Sequence, residues 1–331
     1  MSTATVDRVL NKRPGVRSAT VERVLRAAAA LDYLPDAADP GAAPQGAQAR
    51  PLRLSFLLPN GSNRFIRMLG DMVSTSREHW ASLQVRCRTE FIESFNPLEL
   101  AAALRRHGAQ SDGVAVMPLD HPAVREAVNE LVAAGVHVVT LISDLPNSPR
   151  SAYLGLDNRA AGRTAGYLVG RFIGARSASV ALIAGSRSYS AHVEREAGFH
   201  SVMDELFPRL TVVGLREGQD DAELNYRQMR ALLEQYPQLA GIYNIGGAAD
   251  GVARALKEVD RNGATAFVGH GLTPDTRALL IDGTLDAVIT QNPQATVLSC
   301  ARIFVNLRER REPLLGVETT RSQVIFRENL P

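Results

Sequence analysis

A chain of 331 residues, 45% hydrophobic and 22% charged, suits about two domains and can bury a sizeable core. Its formal net charge of +2 is too small to identify a nucleic-acid binder from composition, and no apolar run reaches membrane-spanning length. Cys87 and Cys300 are the only cysteines: they offer no metal-ligating spacing, suit a reducing compartment, and read as buried small hydrophobes.

The N-terminus lacks the apolar stretch of an export signal, so the expected location is the cytoplasm. Residues 2–11 predict a short helix, with Ser2 as N-cap and Val6, Val9 and Leu10 on one face. A helix this short is marginal alone in water and needs a partner to pack against. Arg13-Pro14-Gly15 marks a turn. Ser18 then caps a second helix to Leu31, with Val21, Val24, Leu25 and Ala28 facing inward and Pro35 stopping it. Residues 1–35 hold six basic side chains against three acidic ones, an excess as large as that of the whole chain. Residues 36–51, DAADPGAAPQGAQARP, have no periodicity and read as a flexible linker.

From Leu52 onward, short β-branched runs alternate with helical stretches. The predicted strands are 52–58, 84–91, 112–117, 136–142, 152–156, 178–184, 210–215, 240–245, 264–269 and 285–290. Predicted helices lie between and after them, at 66–80, 97–107, 121–134, 158–174, 192–206, 222–236, 247–261, 274–282 and 293–311. This alternation predicts an α/β fold with parallel sheets covered by helices on both faces, and ten strands suit two sheets better than one. Ligands in such folds bind beyond the carboxyl ends of strands, so the residues just after each strand carry the functional information. No P-loop, H-E-x-x-H, paired cysteines, Ser-His-Asp spacing or dinucleotide fingerprint is present, and nothing argues for catalysis, a metal or a cofactor.

The segment STATVDRVLNKRPGVRSATVERVLRAAAALDYLPD closely resembles the second and third helices of the lactose-repressor (LacI) family's DNA-binding domain. Ser2, Thr5, Val6, Arg8, Val9, Leu10 and Asn11 match the family pattern V-S-x-x-T-V-S-R-V-L-N. The match continues from Gly15-Val16 to Leu31, Tyr33 and Pro35. The resemblance implies contacts to operator DNA from Ser2, Thr3, Thr5, Arg8, Asn11, Lys12 and Arg13. The alternative is a small capped helical hairpin with a solvated basic face. Asp7 replaces the family's usual Ser, and the linker lacks the family's A-R-x-L hinge helix. The family's preceding helix, roughly I-x-D-V-A-x-x-A-G, is not in the sequence, and Met1 stands where the family usually has Val. The expectation is therefore that Met1 lies downstream of the true start, with a genuine truncation as the alternative. Either way the 331-residue form is expected to bind operator weakly.

The remainder is similar to the periplasmic-sugar-binding-protein-like core of the same family, which implies a type I, two-subdomain fold. The domains expected are a partial helix-turn-helix at 1–35, the linker at 36–51, and a core at 52–331. Within the core, one subdomain takes about 52–156 and 288–316 and the other about 157–287 and 317–331. The resemblance places ligand contacts at Asn63 and Phe65 in PNGSNRFI, and at Asp144 in SDLPNS. It adds Tyr189, His192 and Arg195 in GSRSYSAHVEREAGF, then Gly247 and Asp250 in YNIGGAADGVARAL. His270 in VGHGL and Gln291 in ITQNP complete the set; Gly271 stands where relatives carry a polar or acidic residue. Asp157, in the family's D-N pair, is expected to cap the following helix. The function implied is a homodimeric transcription regulator that senses a sugar or sugar-like polyol. The alternatives are a transporter's solute-binding protein, a ligand-binding regulator without DNA binding, and a sugar-processing enzyme with an acid/base pair in the cleft.

Overall fold

The computed structural model describes residues 50–331 together with residues 5, 6, 9, 16, 20, 21, 23 and 24. The chain divides into two units, 1–50 and 51–331. In the first, Thr5, Val6 and Val9 are helical, as are Thr20, Val21, Arg23 and Val24. Val9 and Val24, two of the predicted inward positions, are buried. Ser2, Thr3, Arg8, Asn11, Lys12 and Arg13 lie outside the described residues, as does the linker up to residue 49.

The second unit holds two sheets. The first contains β1 (Leu52–Asn60), β2 (Val85–Glu93), β3 (Gly113–Val116), β4 (His137–Leu141) and β5 (Ala152–Leu154), all parallel, in the order β2-β1-β3-β4-β5. Its helices are α1 (Arg64–Thr75), α2 (Arg77–Ser82), α3 (Pro97–Gly108) and α4 (Pro122–Ala133). The second contains β6 (Ala178–Ala184), β7 (Leu210–Glu217), β8 (Leu239–Asn244), β9 (Ala266–His270), β10 (Ala287–Thr290) and β11 (Gln323–Ile325). Its order is β11-β10-β9-β8-β6-β7, with only β11 antiparallel. Its helices are α5 (Asn158–Ile173), α6 (Ser190–Leu206), α7 (Ala222–Gln235), α8 (Ala249–Glu258) and α9 (Pro274–Ile281), while α10 (Pro293–Arg308) returns to the first sheet's core.

Both sheets are covered on two faces, which is why their strands read as continuous apolar runs. On β6, Val180, Leu182 and Ala184 enter one core cluster while Ala181 and Ile183 enter the other, the two-residue period of a strand. The two sheets share one winding. β1 lies between β2 and β3, and β6 lies between β7 and β8. In each case successive connections leave in opposite directions, opening a crevice at the carboxyl ends of the strands. The chain passes to the second sheet after β5, returns after Thr290, and crosses again between α10 and β11. The return falls just past the predicted 288, because β10 keeps its pairing with β9 through Ile289.

Two differences from the predicted elements have local causes. The helix expected over 66–80 breaks at Ser76, whose hydroxyl and N–H both bond the Met72 carbonyl and end α1. β11 escaped detection because three residues at a sheet edge carry no periodicity.

The helix pair α5 and α6 positions the site. A Cβ on Gly162 would collide with the backbone carbonyl of Arg195, and one on Gly198 with that of Arg159. These two glycines let the helix backbones touch. Gly198→Ala is expected to force them apart and to cost about 1–3 kcal/mol, read as a lower urea midpoint at unchanged slope.

Candidate ligand-binding site

Where the carboxyl ends of the two sheets face each other there is a cavity of about 210 Å³, far larger than a single water needs. Residues following the first sheet's strands line one wall: Ser62, Asn63, Phe65 and Ile66 after β1, Met117 after β3, Ile142 after β4 and Leu156 after β5. The other wall comes from α6, with His192 and Arg195, and from the turns after β8 and β9, with Gly246 to Asp250 and His270-Gly271. Ile289, Thr290 and Gln291 close it at the end of β10. Of the predicted contacts, Asn63, Phe65, His192, Arg195, Gly247, Asp250, His270 and Gln291 are brought together here.

Asp144 and Tyr189 are not. Asp144 accepts from Thr140 Oγ1 (2.7 Å) and from the Leu145 N–H (2.8 Å), and both carboxylate oxygens bond Arg150. Burial would raise its pKa, but the bonds from Arg150, Thr140 and Leu145 outweigh it and hold the carboxyl below its usual range. Its neighbour Ser143 faces α6, sharing a 3.0 Å bond with Ser190 Oγ. Tyr189 is buried beside the cavity, edge-on to Phe95 (5.8 Å) and His192 (5.6 Å).

Arg195 is buried, with 7% of its surface exposed. Its Nε donates to Asn158 Oδ1 (2.8 Å) and its Nη1 to the Ile245 carbonyl (2.9 Å). Asn158, the first residue of α5, also donates to Tyr153 Oη (3.0 Å) and to the Ile142 carbonyl (3.2 Å). Asp157 caps α5 as expected, accepting from the Ala160 N–H at 2.8 Å. No carboxylate is paired with Arg195 among the described residues; burial lowers its pKa, and the charges of Tyr243, Tyr153, Asp220 and Glu194 oppose that shift.

Asn63 caps α1, its Oδ1 accepting from the N–H groups of Phe65 (3.1 Å) and Ile66 (3.4 Å). Its Nδ2 donates to Asp220 Oδ2 (2.8 Å), and the other Asp220 oxygen accepts from the Gly247 N–H (2.7 Å). The Asp220 carbonyl accepts from Ser62 Oγ. This buried carboxylate therefore ties the turn after β1 to the turn after β8. Sequence reading missed it, although its place just after β7 is the post-strand signal used elsewhere.

His192 is buried, and its Nδ1 faces both the N–H (3.2 Å) and the carbonyl (2.9 Å) of Ser186. Burial lowers its pKa to about 4; Asp220 works against the shift and Arg195 adds to it. His270 meets the Tyr243 hydroxyl through Nε2 (2.7 Å). Burial, followed by the charges of Arg195 and His192, drives its pKa well below the usual value. Both rings are neutral at pH 7. At Gly271 φ is +77°, and a Cβ there would come within 3.2 Å of Phe65 Cβ, so a residue without a side chain lets that ring seat. Gln291 is buried, and its Nε2 has no hydrogen-bond partner. Asp250 stands exposed at the rim and leaves α8 uncapped, because the N-cap position is the left-handed Ala248.

Residues 89–311 match the family described as "Periplasmic binding protein domain". The chain belongs to that family. Residues 1–36 match a second description, "Bacterial regulatory proteins, lacI family". The ribose import binding protein RbsB of Bacillus subtilis (strain 168) is 28% identical over 185 residues. That alignment takes in 55% of this chain and 58% of the relative, less than two thirds of its length. Two solved structures share the fold. GanP, a glucose-galactose binding protein from Geobacillus stearothermophilus, is 23% identical at a TM-score of 0.76, covering 85% of this chain and 99% of its own. An ABC transporter solute binding protein from Agrobacterium vitis, bound with α-D-tagatopyranose, is 18% identical at 0.76, covering 84% and 95%. The α/β architecture with two mostly parallel sheets is thus that of a type I periplasmic binding protein, and the cavity occupies the crevice such a fold opens. No helix among the described residues is long and apolar enough to cross a membrane.

Two outcomes follow from these contacts. Asp220→Ala leaves Asn63 Nδ2 and the Gly247 N–H without their acceptor, and a loss of about 1–3 kcal/mol is expected in chemical denaturation. The buried histidines make stability depend on pH. Unfolded histidine takes its proton near about 6.5, while folded His192 waits until about 4 and His270 also binds late. Between those values the unfolded chain holds more protons, so stability is full above about pH 6.5 and falls as pH drops toward 4. The melting temperature should decline from pH 7 to 5, and His270→Gln should flatten that decline.

Proposed function

We propose that this protein is a LacI-type transcription regulator whose core senses a sugar or sugar-like polyol, and that it acts as a homodimer on operator DNA. The observation that carries the reading is the union, in one chain, of a lacI-family match at residues 1–36 with a binding-protein core over 89–311. The relatives support the ligand class, since RbsB is named for ribose import and GanP for glucose and galactose. The cavity is of small-molecule scale, and its lining mixes apolar side chains with a few convergent polar groups, as ligand pockets do.

In this reading Asn63, Phe65, His192, Arg195, Gly247, Asp250, His270 and Gln291 form the ligand site, and binding draws together the loops at the carboxyl ends of the two sheets. Thr5 and the neighbouring predicted DNA contacts Ser2, Thr3, Arg8, Asn11, Lys12 and Arg13 meet the operator, one half-site per protomer. Ligand shifts operator affinity by its differential affinity for the two arrangements, typically 1–3 kcal/mol, or about 5–150-fold. The protein binds rather than turns over its ligand, and it resides in the cytoplasm. In the core, residues about 52–156 and 291–316 form one subdomain and 157–290 and 317–331 the other.

A second reading is favoured by the relationship to an import binding protein: the same core delivers its ligand to a transporter. One experiment separates the two. The protein is tagged at its carboxyl end at its own chromosomal locus, and the DNA it retains is sequenced with and without a monosaccharide and polyol mixture. Enrichment of a palindromic site that changes with the mixture is expected. A protein that binds a sugar yet enriches no site would overturn the regulator and leave the carrier.

A further inference from the structure

The ends of β3, β4 and β5 give the cavity only Met117, Ile142 and Leu156. The polar side chains that follow β4 are turned elsewhere, Ser143 onto Ser190 and Asp144 onto Arg150. The backbone there is engaged as well. The Ile142 N–H donates to the Leu154 carbonyl (3.1 Å), and the Ile142 carbonyl accepts from Tyr153 Oη (3.0 Å) and Asn158 Nδ2 (3.2 Å). The Leu156 carbonyl also faces Tyr153 Oη, at 2.9 Å. A carbonyl oxygen has two lone pairs, so that of Ile142 is filled. The polar side chains of the lining come instead from the turn after β1, with the start of α1, and from the second sheet's side.

Ile142 is held against its backbone preference. Its φ is +63°, and the Ser143 N–H bonds back to the Leu141 carbonyl at 2.6 Å. This is a three-residue γ-turn with its centre in the left-handed region, a rare and strained arrangement. A β-branched residue is poorly suited to it, while Gly, Asn and Asp adopt positive φ readily. Asn or Asp here would relieve the backbone and would also offer a sugar hydroxyl a partner. The chain carries a branched hydrocarbon instead, on the cavity lining. Strain of this kind persists only where the surroundings hold it. Tyr153 and Asn158 hold the Ile142 carbonyl, and Gly155 makes room for the Tyr153 hydroxyl, which a Cβ would strike. Asn158 is also the partner of Arg195, so one amide joins the strained turn to the site's buried cation.

We propose that Ile142 determines specificity: with Met117 and Leu156 it forms a hydrocarbon wall that selects a deoxy sugar, one with a methyl or methylene group where its parent carries a hydroxyl. This rests on the sensing reading above and narrows its ligand class. A hydroxyl set against the wall gives up its hydrogen bonds to water and finds no partner. A methyl or methylene group gives up none and is removed from water. The remaining hydroxyls meet the polar side of the cavity, Arg195 among its groups.

The test is calorimetric titration of the full chain with matched neutral probes: D-galactose against D-fucose, L-mannose against L-rhamnose, D-glucose against 2-deoxy-D-glucose, and D-ribose against 2-deoxy-D-ribose. At least one deoxy sugar is expected to bind tenfold or more tightly than its hydroxylated parent. Ile142→Asn, which suits positive φ and adds a hydrogen-bonding amide, should cancel or reverse that preference. The matched probes are compared on the unaltered chain, so their result does not depend on the variant folding. Parents that bind as tightly as their deoxy partners would overturn the selection and leave the sugar-sensing reading standing. A preference unchanged in folded Ile142→Asn protein would take the role from Ile142. Binding by no pair would overturn the deoxy class, and silence from a wider monosaccharide and polyol mixture would remove the sensing reading with it.

Discussion

The structure depends on holding one buried guanidinium that has no paired carboxylate among the described residues. Burying a charge costs several kcal/mol unless hydrogen bonds and neighbouring dipoles make up for lost hydration. Arg195 meets that demand through Asn158 Oδ1 and the Ile245 carbonyl. Both partners are themselves held. Asn158 opens α5 and reaches the Ile142 carbonyl at the end of β4, while Ile245 follows β8 in the other sheet. One side chain thus joins the carboxyl end of the first sheet to that of the second. The close approach of α5 and α6, made possible by Gly162 and Gly198, is what brings Asn158 within reach.

Asp220 supplies a second bridge of opposite charge. Each of its oxygens accepts one bond, from Asn63 Nδ2 and from the Gly247 N–H, so it stabilises the meeting of two loops. The two bridges divide the work by chemistry. The anion is spent on the fold; the cation keeps donors in hand. A third link, from Ser190 to Ser143 and the Asp144 carbonyl, lies away from the cavity and carries no charge.

Much of this was legible in the residues. Strands buried on both faces are written as apolar runs, and their alternation with helices predicts parallel pairing. The family resemblance, applied at the strand ends where ligands of such folds sit, placed Asn63, Phe65, Gly247, His270 and Gln291 in the site, and all of them line the cavity. Strand ends are local features, so their neighbours can be read from order alone. Asp144 shows where that reading stops. It too follows a strand, but Arg150, six residues on, bonds both its oxygens, and a side chain's choice between a cavity and a nearby cation is not encoded in spacing.

By itself the sequence determined the element order, the two-sheet α/β class and the match of its first residues to a DNA-reading pattern, because periodicity, caps and turn residues act over a few positions. Tertiary structure alone decided which polar groups remain available. Hydrogen bonds such as Asn63 to Asp220 or Arg195 to Asn158 join residues 157 and 37 positions apart. Whether a donor is spent or spare depends on who stands opposite it after folding, and no local pattern carries that information.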